Sequence, residues 1–259
     1  MKRLKTYLLV LCFASAAWAQ APVAEQPQPK SQKELEALQA VFAAIDNDSR
    51  IKRAEDVLTN YADTEFRSLM LEIITMAYSE KNDYEKTVVY GERCLEVDPN
   101  NYRVMLILGQ AIAQRTKEFD LDREEKLKRC EGYAAKAQDL VAKAPKPNPQ
   151  ITDEQWEAAK KDTLAEVRTV NGLVALARKK YDVAATEFKA AVDTASNSNP
   201  TNKLQLGLAY VNLGKYDDAL ALFDQVINDP NLPPVFKQFA QGQKNEALKK
   251  KAAAAPAQP

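Results

Sequence analysis

The chain has 259 residues, 46% apolar and 28% charged, with 36 basic residues against 36 acidic ones; that balance allows a sizeable core and excludes disorder throughout. Seven glycines are too few for β-hairpins, Gly-rich phosphate loops or a doubly wound nucleotide fold. Three cysteines cannot staple a chain this long, and zero histidines remove Ser-His-Asp and Cys-His catalysis and His-ligated zinc. The expectation is a mostly helical binding protein, not an enzyme, with no cofactor or metal.

In chain order, Lys2, Arg3 and Lys5 precede an apolar stretch from Tyr7 to Ala17, and Ala17-Trp18-Ala19 supplies the small-x-small pattern of a signal peptidase site. Residues 1–19 therefore read as a signal peptide, leaving Gln20 first and placing the protein in the periplasm or outside the cell. A retained anchor is disfavoured because the apolar run is shorter than the about 20 residues a spanning helix needs. Leu11 before Cys12 disfavours lipidation, and no other stretch predicts membrane insertion after cleavage. Cleavage leaves 33 basic against 36 acidic residues, net −3, which argues against nucleic acid or an anionic membrane surface as partner.

Residues 20–30, with Pro22, Pro27 and Pro29, read as a disordered tether, and residues 252–259 as a disordered tail. Between them the apolar residues follow helical spacing. Leu35, Leu38, Phe42 and Ile45, then Ile51, Ala54, Leu58 and Tyr61 after the turn at Asp46 to Ser49, predict one antiparallel helix pair over 31–62.

A longer period follows. Aligning residues 68–101 with 200–233 places Ile74 on Leu206, Thr75 on Gly207, Tyr78 on Tyr210, Tyr84 on Tyr216, Thr87 on Ala219 and Cys94 on Val226. Gly172, Tyr181, Ala184, Phe188 and Ala191 fall in the same register. Another unit opens at Tyr102 with Leu108-Gly109, but Lys117 to Asp122 lengthen its turn, and Cys130, Ala134 and Ala137 take its small positions. The units span 68–101, 102–143, 152–198 and 200–230. Ala144 to Pro149 interrupts them with three prolines, and Thr152-x-x-Gln155 reads as a capping box that starts a long helix reaching Ala177. After Pro230, residues 233–251, with Val235, Phe236, Phe239 and Leu248, predict a helix that caps the last unit.

Leu206-Gly207-Leu208-Ala209-Tyr210, Gly214-Lys215-Tyr216-Asp217-Asp218-Ala219 and Phe223 resemble the tetratricopeptide repeat, a helix-turn-helix of about 34 residues. The resemblance implies an all-α fold: a right-handed solenoid of antiparallel helix pairs with a C-terminal capping helix. Gly109, Gly172 and Gly207 share one register position opposite Cys130, Ala184 and Ala219, so small is expected to meet small where each pair crosses. Thr75 and Gly91 depart from the pattern in the first unit.

The resemblance also implies that the first helices line a concave groove. By register it is lined by Ile73, Met76, Arg103, Leu106, Gln110, Thr169, Leu173, Leu176, Leu208 and Asn212. Relatives that clamp a terminal carboxylate use Lys and Asn at positions where this chain has Glu72 and Met76, which argues against a clamp. The expected guest of this mostly apolar groove is a protein or peptide partner presenting an amphipathic helix or an extended apolar segment; alternatively the chain's own tether, long helix or first pair fills it.

Three strings invite a catalytic or metal reading. Ser49-Arg50-Ile51-Lys52 lacks the Lys-Thr-Gly element and strands of penicillin-binding enzymes. Asp120-Leu121-Asp122 resembles the opening of a calcium loop but has Glu125 where the turn wants Gly. Glu124-Glu125 could serve a glycan enzyme, yet no residues remain for a catalytic domain. A self-associating envelope protein, a possible homo-oligomer, is the other alternative to a scaffold that binds partners.

Overall fold

The computed structural model describes residues 27–196 and 199–254. The signal segment, residues 20–26 of the tether, the 197–198 end of the third unit and residues 255–259 lie outside them. Among the described residues the chain is all helical. The helices are α1 (Gln32–Phe42), α2 (Asn47–Asn60), α3 (Arg67–Glu80), α4 (Tyr84–Val97), α5 (Tyr102–Arg115), α6 (Arg123–Lys143), α7 (Asp153–Ala177), α8 (Tyr181–Thr194), α9 (Pro200–Asn212), α10 (Tyr216–Ile227) and α11 (Pro234–Ala254). Each packs on the helix before and after it, and in addition α3 packs on α5 and α5 on α7. The first helices of successive pairs thus form one layer and the second helices the other, the arrangement of a solenoid.

Local sequence explains the boundaries. Ser31, Asp46, Asp83, Asn101, Thr152 and Asn199 cap their helices through side-chain oxygens, and Thr152 with Gln155 completes a capping box. Three intra-pair turns share one construction. The N–H groups of Asp83, Lys180 and Lys215 donate to the carbonyls of Tyr78, Ala175 and Tyr210 across a left-handed residue: Asn82 at φ 56°, Lys179 at 59° and Gly214 at 73°. This is the Schellman stop, and a tyrosine then opens α4, α8 and α10. The α5–α6 pair departs because Lys117 to Asp122 replace the stop.

The crossing inside each pair differs from the expected meeting of small residues. A Cβ on Gly207 would lie 2.5 Å from Phe223 Cε1, and one on Gly172 2.8 Å from Phe188 Cε1. Both rings are fully buried. The glycine makes room for an aromatic ring, with Ala184 and Ala219 buried beside it. At Gly109 the nearest atom belongs to Val170 of α7, at 3.0 Å, not to Cys130. Gly91, a departure by pattern, admits Leu108 of α5 at 2.7 Å.

Other expectations shift at the ends. The buried stripe of α1 is Glu34, Leu38 and Val41; Phe42 and Ile45 are exposed because the helix stops at Phe42. Buried Glu34 accepts from the Thr64 hydroxyl and the Lys30 N–H, both at 2.6 Å. Lys30 Nζ reaches the Asp63 carboxylate at 2.8 Å, and the Gln28 N–H donates to Glu65 at 2.9 Å, so this end of the tether is strapped to the α2–α3 connection. At the other end α11 continues past 251 to Ala254. It covers α10 with Phe236, Ala240 and Ala247, leaving Val235, Phe239 and Leu248 exposed.

The glycine geometry gives a test with opposite signs. In Gly207→Ala the clash with a buried ring, an overpacking cost of about 1–3 kcal/mol, outweighs the helix-propensity gain of about 1 kcal/mol, and the urea midpoint falls. Gly242 in α11 has nothing within 4 Å of its Cβ position, so Gly242→Ala raises the midpoint. Midpoints moving in the same direction contradict the assigned packing.

Candidate functional site

The layer formed by α3, α5 and α7 is the scaffold on which a groove would be built. Of the ten residues expected to line it, Leu106, Thr169 and Leu173 are buried. Leu106 and Leu173 belong to the central core cluster, because α5 packs against both α3 and α7. Thr169 Oγ1 donates to Asn202 Oδ1 at 2.9 Å and so joins α7 to α9. Ile73, Gln110, Leu176 and Leu208 are half-buried, while Met76, Arg103 and Asn212 are exposed. Asn212 Nδ2 donates to the Leu208 carbonyl at 2.8 Å. The accessible part of the face is consequently more polar than the apolar groove that register implied.

Two clefts flank the α3–α5 seam. One, of about 400 Å³ and open to solvent, is lined by Glu72, Asp98, Asn100, Asn101, Tyr102 and Arg103. Glu72 is buried; it accepts from Asn101 Nδ2 at 2.8 Å and from the Arg103 guanidinium at 3.4 Å. Beyond Arg103 stands Glu166 of α7. It is exposed, yet partial desolvation pushes its pKa up; the Arg103 charge opposes the shift and Asp162 adds to it. Among the described residues Glu166 has no ion pair within 4.0 Å and no hydrogen bond for its carboxylate.

The second cleft, of about 490 Å³, lies between the α3–α4 turn and the last turns of α5, with Ser79, Asn82, Tyr84, Gln110, Gln114 and Arg115 on its walls. Arg115 lies over the Tyr84 ring at 5.7 Å. The amides of Gln110 and Gln114, one helical turn apart, have no hydrogen-bond partner among the described residues.

Sequence reasoning missed Glu166, Gln114 and Ser79. The signal for Glu166 was present: relative to Gly172 it holds the place that Arg103 holds relative to Gly109, so choosing one should have chosen both.

The strings that invited catalysis are occupied by structural contacts. Ser49 follows the α2 cap, its hydroxyl donating to Asp46 at 2.8 Å. Asp120 and Asp122 both hold Lys126, at 3.2 and 2.9 Å. Glu124, in the first turn of α6, pairs with Arg123 at 2.8 Å and Arg178 at 3.0 Å. Among the described residues no group of three or more Cys, Asp or Glu could hold a metal ion.

These features define a helix-pair solenoid with a polar inner face. Residues 202–228 match the tetratricopeptide repeat family model. The chain is similar in structure to a thermophilic tetratricopeptide-repeat protein of Thermus thermophilus, with 16% identity over 84% of this chain and 98% of that one and a TM-score of 0.56. It also matches a tetratricopeptide repeat protein from Parabacteroides merdae, with 10% identity over 88% of this chain and 95% of that one and a TM-score of 0.42. No curated protein matches. The chain thus shares the helix-pair solenoid fold of a tetratricopeptide-repeat protein, and residues 202–228 are similar to one such repeat.

Cys94 and Cys130 are free and fully buried, and burial pushes each thiol up to about 11, far from the thiolate form that reacts. Labelling with a thiol reagent near neutral pH is expected to modify neither in the folded protein and both in denaturant. Rapid modification of the folded protein would contradict this placement.

Proposed function

We propose that the protein is an exported scaffold that binds a protein or peptide partner on the face formed by α3, α5 and α7, without catalysis of its own. The observation that carries this reading is the set of functional groups on that face with no use inside the chain: the Glu166 carboxylate and the Gln110 and Gln114 amides. Helix faces that only complete a core have their polar groups satisfied or absent, whereas a recognition face keeps donors and acceptors for its guest. The non-catalytic reading is supported by the engagement of Glu124, Asp120 and Asp122 in ion pairs with neighbouring basic residues.

Export rests on the basic, apolar and small-x-small order of residues 1–19, and it places the scaffold in the periplasm or outside the cell. Among the described residues no helix is long and apolar enough to cross a membrane. The exported protein is expected to have the mass of a chain starting at Gln20. A mass that includes residues 1–19, or an added acyl chain, overturns the export proposal.

Photo-crosslinking locates the face. Met76, 41% exposed, lies on α3 between the two clefts, whereas Val89, 53% exposed, lies on α4 of the other layer. A photo-reactive residue at 76 in the native envelope is expected to give a discrete crosslinked partner, and one at 89 is not. Capture from 89 alone would place the interaction on the outer layer.

Self-association is a second reading, favoured by Phe42 at the end of α1, Ile45 just after it, and Val235 and Phe239 on α11, all exposed at the two ends of the repeat stack. Concentration-dependent sedimentation, lost on charging Val235 and Phe239, is its signature.

A further inference from the structure

The last helix carries an empty socket beside an exposed ring. A glycine inside a helix weakens it, and Gly91, Gly109, Gly172 and Gly207 offset this by admitting an apolar side chain of a neighbouring helix. Gly132 and Gly242 have nothing within 4 Å of a Cβ position. Around Gly132 on α6 the exposed neighbours are Lys128, Arg129 and Lys136, so no apolar group accompanies that space. Gly242 differs: Phe239, 53% exposed, stands one turn before it, and Val235, 71% exposed, one turn earlier still. With Glu246 and Lys250 they follow the spacing of one flank of α11, next to the flank of Phe236, Ala240 and Ala247 that packs on α10.

That flank is its own complement. Against a second α11 running the opposite way, with a two-fold axis between positions 240 and 241, position 239 of each copy meets position 242 of the other, and ring and socket fit reciprocally. The chain makes the same fit twice internally, with Phe188 at Gly172 and Phe223 at Gly207. A parallel pair would set ring against ring and the two Lys249 to Lys251 runs side by side. The antiparallel pair keeps those runs apart by most of the helix length, about 31 Å.

Charge agrees with that direction. Lys249 pairs with Glu246 and Lys251 with Asp217, whereas among the described residues Lys250 and Asp229 form no ion pair. The same axis sets Lys250 of one copy opposite position 231 of the other, two residues from Asp229. Charges of opposite sign left unpaired in one copy thus meet across the axis.

We propose that α11 is a homodimer interface, two copies of the chain associating antiparallel with each Phe239 ring seated on the other's Gly242 and Val235 beside it, to give a closed dimer. The proposal rests on the self-association reading above, assigns it to the α11 end alone, and uses none of the inner-face residues. A single helix pair is a small contact, so association is weak and depends on concentration.

Sedimentation equilibrium of the full mature chain, loaded from micromolar to millimolar, is expected to give a mass that rises from one chain to two and stops there. Gly242→Ala should weaken the dimer at least about tenfold, because it sets a methyl group in both sockets at once, even though it raises the unfolding midpoint of the dilute protein. Gly132→Ala should leave association unchanged. Lys250→Glu should weaken association, and adding Asp229→Lys to the same chain should restore it. Mild oxidation of Val235→Cys mixed with Glu246→Cys, positions that face each other about the axis, should trap a disulfide-linked dimer, while neither variant alone should.

Association equally strong with and without Gly242→Ala, disulfides from either single variant alone, or a charge swap that does not restore binding would overturn this interface and leave self-association in place on another surface. A mass that keeps growing beyond two chains would indicate end-to-end stacking through Phe42 and Ile45, and would overturn the closed dimer. A single-chain mass at every loading would remove the proposal and the self-association reading together, leaving the partner-binding scaffold standing.

Discussion

The structure depends on how closely two helices approach where one gives up its side chain. In α7 and α9 a glycine creates the space, and the ring of Phe188 or Phe223 from the second helix of the same pair occupies it. In the two earlier pairs the filling comes from the next pair: Leu108 of α5 enters at Gly91 of α4, and Val170 of α7 enters at Gly109 of α5. Locally filled pairs are self-contained; pairs filled by a neighbour are joined to it. Leu108 at Gly91 thus joins α4 to α5, and Val170 at Gly109 joins α5 directly to α7; with α3 also packed on α5, Leu106 and Leu173 lie in the core.

This distinction explains what the sequence revealed. The all-helical class was legible because apolar spacing, caps and the sparse glycines agree at every level. The capping box at Thr152 and the turn residues were legible for the same reason: each depends on atoms within a few residues of itself. What a glycine faces depends on a residue in another helix, so the pattern showed that space was made at Gly207 but not that a phenylalanine filled it. Thr75 and Gly91 counted as departures, yet Thr75 is buried, its hydroxyl donating to the Leu71 carbonyl at 2.7 Å, and Gly91 serves the next pair. The register was informative; the partner within it was not.

The same limit applies to the inner face. Register identified first-helix positions, and Met76, Arg103, Gln110 and Asn212 do retain accessible surface. It could not tell how tightly those helices pack against one another, which decides whether a leucine lines a groove or fills a core. Glu34 shows the converse case, a carboxylate that is buried because Thr64 and the Lys30 backbone supply its hydrogen bonds.

The position of the polar clefts within the stack has its own physical consequence. They lie along α3 and α5, which pack directly on each other as α5 does on α7, whereas α9 reaches this layer through α8 and through the buried Thr169–Asn202 hydrogen bond. The Lys117 to Asp122 insertion strengthens the middle further. Glu118 pairs with Lys179 at 2.6 Å, Arg123 donates to the Ala177 carbonyl, and Arg178 binds Glu124 at 3.0 Å and Glu131 on α6. Such exposed pairs contribute little individually, but several converging on one turn fix its geometry. These contacts tie the α5–α6 turn and the start of α6 to the end of α7, and helices held in place before a guest arrives lose less freedom when it binds. The lengthened turn that weakens the match to the repeat pattern thus adds, through Glu118 and Lys179, one more tie between the α5–α6 pair and the end of α7.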